Sequence, residues 1–241
     1  MSAFYNFGVP FEPFGASHFW AVAFFIAALL LIIWMTPKLS HEINLKLTRV
    51  FSGILFITVT WWTLIHIWFD RFSLAKDLPL SICNLFALIA PVLFWFPRKK
   101  VFEIIYFFVL SGTVQAIFTP DAGAAFPSYS YFKYWIVHCG LVVVVIHHLI
   151  AFQMYPSRRG MLYSFGWLNI YLLCLVPINL LLSANYFYLM SKPITPSILD
   201  FFGPWPYYII VTEGLVMIFF ALAYLPIFLV RKLYLRHTKI D

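Results

Sequence analysis

Seven apolar runs separated by short polar breaks set the pattern of this chain. They cover roughly 18–36, 49–69, 78–96, 101–119, 132–155, 164–186 and 205–230. Each is close to the ~20 residues that a helix needs to cross a bilayer. The breaks TPKLSHE, DRFSLAKD, FPRKK, TPDAGAAFPS, YPSRRG and SKPITPS carry turn or charge signals. The runs are continuous rather than alternating, which argues against a membrane β-barrel. The pattern predicts an all-α polytopic membrane protein. A seven-transmembrane-helix bundle fills 18–230, an aromatic interfacial segment 1–17, and a basic tail 231–241.

Composition narrows the class further. Hydrophobic residues make up 63% of the chain and charged residues 10%, a balance that no soluble domain tolerates. The start, MSAFYNFGVPFEPFG, lacks the basic region of a cleavable signal peptide. The net charge of +7 does not point to nucleic acid, because the basic residues sit in short loops and the tail. Twelve lysines and arginines fall on one set of alternate loops, from Lys38 to Lys239; four, Arg71, Lys76, Lys133 and Lys192, fall on the other. This imbalance places the N-terminus outside and the C-terminus in the cytoplasm. Glu12, Asp70, Asp77, Asp121 and Asp200 then fall outside. Cys83, Cys139 and Cys174 lie inside apolar runs with no CxxC spacing, so neither a disulfide framework nor a zinc knuckle is indicated.

The outer ends of the helices collect the polar residues. At 1.5 Å per residue, Cys83 lies ~8 Å below the outer end of its helix and His138 ~9 Å below its own. Gln115 is ~6 Å in, His66 ~5 Å and Glu213 ~12 Å. His18 opens the first helix at that end, and Asn185 and Tyr186 close the sixth. On the fourth helix Ser111, Gly112, Gln115 and Thr119 form one stripe at helical spacing; on the second, Trp62, Thr63, His66 and Asp70 do so, and Asp70 is spaced to pair with His66. His147 and His148 are too deep to belong to this group, and Pro177 is expected to kink the sixth helix.

A thiol and an imidazole at one depth are the parts of a nucleophile–base pair. Each residue also has a structural reading: cysteine as soft filler, histidine and glutamine as interhelical hydrogen-bond partners, Asn185 and Tyr186 as a helix cap. Gln115 and Asn185 are candidates to hold an oxyanion. His18, His66, Tyr134, Tyr186 and Glu213 are candidates to contact substrate. No metal is expected, because among His66, His138, Cys83 and Glu213, the set that could ligate one, no two sit three or four residues apart, and no nucleotide motif implies a cofactor.

LPLSICNL, SGTVQAIFTPD, FKYWIVHCG, NYFYLMSKP and GPWPYY occur in that order. Together they resemble the YwaF family of bacterial integral membrane proteins, which has transmembrane protein 164, a phospholipid acyltransferase, as an animal relative. The resemblance extends distantly to membrane hydrolases of fatty-acid esters. It implies Cys83 as the acyl-carrying nucleophile and His138 as its base, with phospholipids or lysophospholipids as partners in a bacterial cytoplasmic membrane. The expected activity is acyl transfer through a thioester at the outer leaflet. The alternatives are hydrolysis by the same pair, or non-enzymatic binding or transport of a lipid or small solute.

Overall fold

The computed structural model describes residues 4–5, 10–120, 122–193 and 198–237. Asp121, part of the N-terminal segment and the end of the basic tail lie outside the described residues. Among those described, helices and turns account for the structure, and the only pairing of extended chain is a single bridge, Pro10 with Ala124. The helices are α1 (Ala16–Met35), α2 (His41–Trp68), α3 (Ile82–Leu88), α4 (Ala90–Phe94), α5 (Lys99–Phe108), α6 (Val114–Phe118), α7 (Tyr129–Ala151), α8 (Arg158–Leu182) and α9 (Tyr207–His237). A π-helical turn, Val109–Thr113, joins α5 to α6 without a break. Among the described residues, six helical stretches are long and apolar enough to cross a membrane, α5 to α6 counting as one. The chain is an integral membrane protein.

The run 78–96 is where the structure departs from the expected single long helix. It folds as α3 and α4, broken at Ile89 (φ −98°, ψ 11°). Pro91 is the cause. It has no N–H to give to the carbonyl four residues back, its ring crowds that carbonyl, and it disfavours helical backbone at Ala90. Pro177 has a milder effect, since α8 runs through it from Arg158 to Leu182.

Serines begin three of the long helices. Ser40, Ser128 and Ser157 accept hydrogen bonds from the backbone N–H groups of Ile43, Tyr131 and Gly160. Each satisfies a donor that the first helical turn leaves open.

The centre of the bundle is the packing of α2 along α7, with α1, α3 and the π turn also against α7. Leu55 and Val59 of α2 and Val137, Leu141, Val144 and Val145 of α7 are all buried in one apolar core. Gly140 permits the approach: a Cβ there would stand 2.9 Å from Leu55 Cδ2. Lipid tails are as apolar as these side chains, so close packing rather than expulsion of water holds the pair. Trp20, Phe24, Trp68, Leu173 and Leu181 are exposed, the lipid-facing surface of such a bundle.

His147 and His148 are built into a separate buried cluster. His147 Nε2 lies 3.1 Å from Asn44 Oδ1 and its Nδ1 3.4 Å from Thr48 Oγ1; His148 meets the carbonyls of Val144 and Phe94. His147 has a polar partner at each nitrogen, and the neutral His148 ring donates to one of its two carbonyls, so the cluster reads as glue between α2, α4 and α7.

Candidate functional site

Cys83 is the second residue of α3, and the chain leading to it is clipped down by two tyrosines. Tyr171 of α8 donates its hydroxyl to the carbonyl of Leu80. Tyr186 accepts from the Leu78 N–H at 3.1 Å and donates to the Leu74 carbonyl at 2.8 Å. Tyr186 therefore holds the approach to Cys83 rather than presenting its hydroxyl to substrate. Pro79 lies in this approach and not in the first turn of the helix, which begins at Ile82.

The thiol of Cys83 hydrogen-bonds Thr113 Oγ1 at 3.3 Å. Thr113 is buried although helical spacing excluded it from the polar stripe. The π turn explains this. It admits one extra residue into the helix, so the face shifts by about one position beyond it. Ser111 and Thr113 are buried, while Gly112, Gln115 and Thr119 are exposed. The expected inward stripe is corrected accordingly. Gln115 donates its amide to the Ser111 carbonyl at 2.7 Å, on its own helix. It is not poised over the thiol as an oxyanion donor.

His138 sits on α7, which packs against both α3 and the π turn. Its Nδ1 lies 2.7 Å from the Tyr134 carbonyl. A carbonyl only accepts, so Nδ1 carries the proton and the neutral ring keeps its lone pair on Nε2. That is the tautomer a general base requires. Tyr134 also stacks beside the ring, with centroids 4.1 Å apart, and donates its hydroxyl to the Ala116 carbonyl at 2.7 Å. Tyr134 thus orients His138 and ties α7 to α6. The thiol and the imidazole make no direct hydrogen bond to each other in this arrangement; each is held by its own partner.

Other candidates serve the framework. His18 is buried, accepts from the Phe14 N–H at Nδ1 (3.0 Å) and donates from Nε2 to the Ile117 carbonyl (3.0 Å). Both ring nitrogens are used, so His18 fastens α1 to α6 instead of meeting substrate. Asn185 is likewise occupied: its amide donates to Ser191 and its oxygen accepts from the N–H groups of Met190 and Ser191. It organises its loop and is not an oxyanion donor. Glu213 accepts from Asn169 at 3.1 Å and borders a cavity of 520 Å³ between α8 and α9, which Ser81, Asn185 and Tyr186 also line. His66 pairs with Asp77, Nδ1 to Oδ1 3.2 Å, and not with Asp70, which lies exposed beyond the end of α2.

Four residues that sequence reasoning left out complete the neighbourhood. Thr113 holds the thiol. Asp77, Asn84 and Lys133 line a cavity of 200 Å³ with Trp62 and Thr63. The Lys133 ammonium is within electrostatic range of Cys83, His138 and Asp77. Position gave a signal for two of them: Asn84 adjoins Cys83, and Lys133 stands five residues before His138 on one helix. A third, apolar cavity of 760 Å³ lies between α1 and α7, lined by Trp20, Phe24, Phe51, Trp135 and Cys139 among others. Cys139 packs there, as its phase on the helix predicts.

The model of the TMEM164 family matches residues 13–224. An uncharacterized protein of Treponema pallidum (strain Nichols) is 27% identical over 221 residues, which cover 90% of each chain. No solved structure matches. The family match takes in α3, the π turn and α7, and with them Cys83, Thr113, Lys133 and His138.

Proposed function

The chain belongs to the TMEM164 family, and on that premise we propose that it is a membrane-embedded phospholipid acyltransferase acting through a thioester on Cys83. His138 Nε2 takes the thiol proton. The sulfur attacks the carbonyl of a phospholipid ester; the S–C bond forms, the ester C–O bond breaks, and the proton passes from His138 to the departing lysolipid oxygen. A second lysolipid hydroxyl then attacks the thioester and gives its proton to His138; the new ester C–O bond forms, the S–C bond breaks, and the proton passes from His138 to the departing sulfur, restoring the thiol. Water in place of that hydroxyl makes the same machinery a lipid-ester hydrolase. The observation that carries this reading is the Nδ1 hydrogen bond of His138 to Tyr134, which fixes the base tautomer on a helix packed against that of the cysteine.

The direct test is to incubate the purified protein with phospholipid labelled in its acyl chain. Label is expected on the Cys83 peptide, released by neutral hydroxylamine. Protein that turns over lipid without ever carrying label excludes the thioester. The 760 Å³ apolar cavity favours a second reading, in which a lipid is bound and no covalent step follows; saturable lipid binding with neither label nor turnover selects it.

Thr113→Val tests the environment of the thiol. If the hydroxyl donates to the developing thiolate, its loss removes a charge-assisted hydrogen bond of about 1.5–3 kcal/mol, so acylation slows by roughly 10- to 100-fold. A rate equal to wild type in stopped-flow acylation assigns Thr113 to packing alone.

The same reading places the protein in the bacterial cytoplasmic membrane, N-terminus outside, with the broken α3–α4 segment completing a seventh crossing. Helix 82–94 rises only ~20 Å, but extended residues on either side supply the remaining ~10 Å of the hydrocarbon core. With seven crossings the loop at Arg158 is cytoplasmic. A single cysteine placed there is expected to resist an impermeant maleimide in intact cells and react after lysis. Labelling without lysis reverses the orientation.

A further inference from the structure

The cavity beside Cys83 is bordered by two ammonium groups and one carboxylate. Lys133 forms no ion pair among the described residues; its ammonium lies over the indole of Trp62, 5.4 Å from the ring centroid. Lys76 also borders the cavity. Its one carboxylate, Asp77, is already held by His66 and by the Ser73 N–H at 2.8 Å. Asn84 lines the same space, and its amide oxygen is buried without a hydrogen-bond partner. An amide turned over by 180° presents N–H donors in place of that oxygen. A buried amide atom left without a partner beside an ammonium that has no ion pair is costly unless something fills the space between them.

The geometry points to a site for a phosphate group, that of a glycerophospholipid, with Lys133 supplying charge and Asn84 a neutral hydrogen bond. At 200 Å³ the cavity suits a headgroup fragment and not an acyl chain. A cationic ligand is disfavoured, because the carboxylate it would need is spent and the free charges are positive. Asn84 adjoins Cys83, so a bound phosphate holds the lipid's ester linkages near the thiol. Only that last consequence rests on the acyl-transfer reading; the binding does not.

The test removes turnover and reads binding alone. Cys83→Ala protein in detergent is titrated, by native mass spectrometry, with short-chain phosphatidylglycerol and with diacylglycerol of the same chains. The phospholipid is expected to bind at least about tenfold more tightly, the scale of one charge-assisted hydrogen bond. Adding Lys133→Met abolishes that preference; adding Lys133→Arg keeps most of it, and Asn84→Ala lowers it several-fold. The arginine and alanine variants keep the test decisive if the methionine variant does not fold. Failure of millimolar inorganic phosphate to displace the lipid supports the lipid as ligand; displacement supports the phosphate site but reassigns it to the free ion. Equal affinity for the two lipids, or an undiminished preference in Lys133→Met, overturns the proposal. Because Cys83 is absent throughout, this result stands whether or not the thioester exists.

Discussion

Cys83→Ala is expected to eliminate phospholipid acyl transfer and to leave the protein folded. The substitution removes one sulfur from a half-buried position on the first turn of a seven-residue helix. It leaves the Tyr171 and Tyr186 clips on the preceding chain untouched. The cost to stability is that of one small packing contact and one thiol–hydroxyl hydrogen bond, about 1–2 kcal/mol. The cost to chemistry is the nucleophile itself, so the residual rate should fall to that of lipid bound but not attacked. Cys83→Ser is expected to be nearly as damaging, because a serine hydroxyl ionises far less readily beside the same base. Lipidomic comparison of a deletion strain complemented with each form reads both effects, and detergent-extracted thermal melts check folding. Full remodelling activity in Cys83→Ala would end the covalent reading and leave a binding protein.

The broad architecture was legible because spanning a bilayer imposes a length and a polarity that few other constraints imitate. Six of the apolar runs fall on helices, although α2 and α8 begin well before the runs that hydropathy set, at His41 and Arg158, because their first turns are polar. The run 78–96 misled because its composition is that of a span, while one residue, Pro91, decides its geometry; hydropathy is blind to the missing N–H. Depth along the helices put Cys83 and His138 at one level but could not say which helices are neighbours; the packing of α3 against α7 supplies that.

The polar shell was less legible, for a reason that applies to each residue in turn. Depth along a helix says that a side chain is near one end of the bundle, not where its hydrogen bonds go. His18, Asn185 and Tyr186 spend theirs on nearby carbonyls and N–H groups, which depth cannot distinguish from pointing into a cavity. Gln115 and Thr113 exchanged roles because the π turn shifts the helical phase, and no period of 3.6 residues predicts where a helix will admit an extra one. Lys133 was counted with the loops that set orientation. Its place in the first turns of α7 makes it part of the site instead.

His138→Ala is expected to cost as much as loss of the cysteine, and the pair should behave as one unit. Without the imidazole no group described beside the thiol is fitted to take its proton: Thr113 is a hydroxyl and Lys133 a cation. The double variant should then be no slower than either single one, the signature of residues that act in one step. His138→Gln gives a sharper result. Its side chain retains a donor for the Tyr134 carbonyl, and so much of the local framework, but it has no basic nitrogen. If positioning were all that His138 provides, His138→Gln would recover a large share of the activity lost in His138→Ala. Under general-base catalysis the two variants are equally slow, and both accelerate as pH rises and hydroxide takes over deprotonation of the thiol. A pH–rate profile of label transfer from phospholipid to Cys83 distinguishes the cases. Multiplicative losses in the double variant, or a fast His138→Gln, would remove His138 from the chemistry and leave it as the residue that Tyr134 holds in place between α7 and its neighbours.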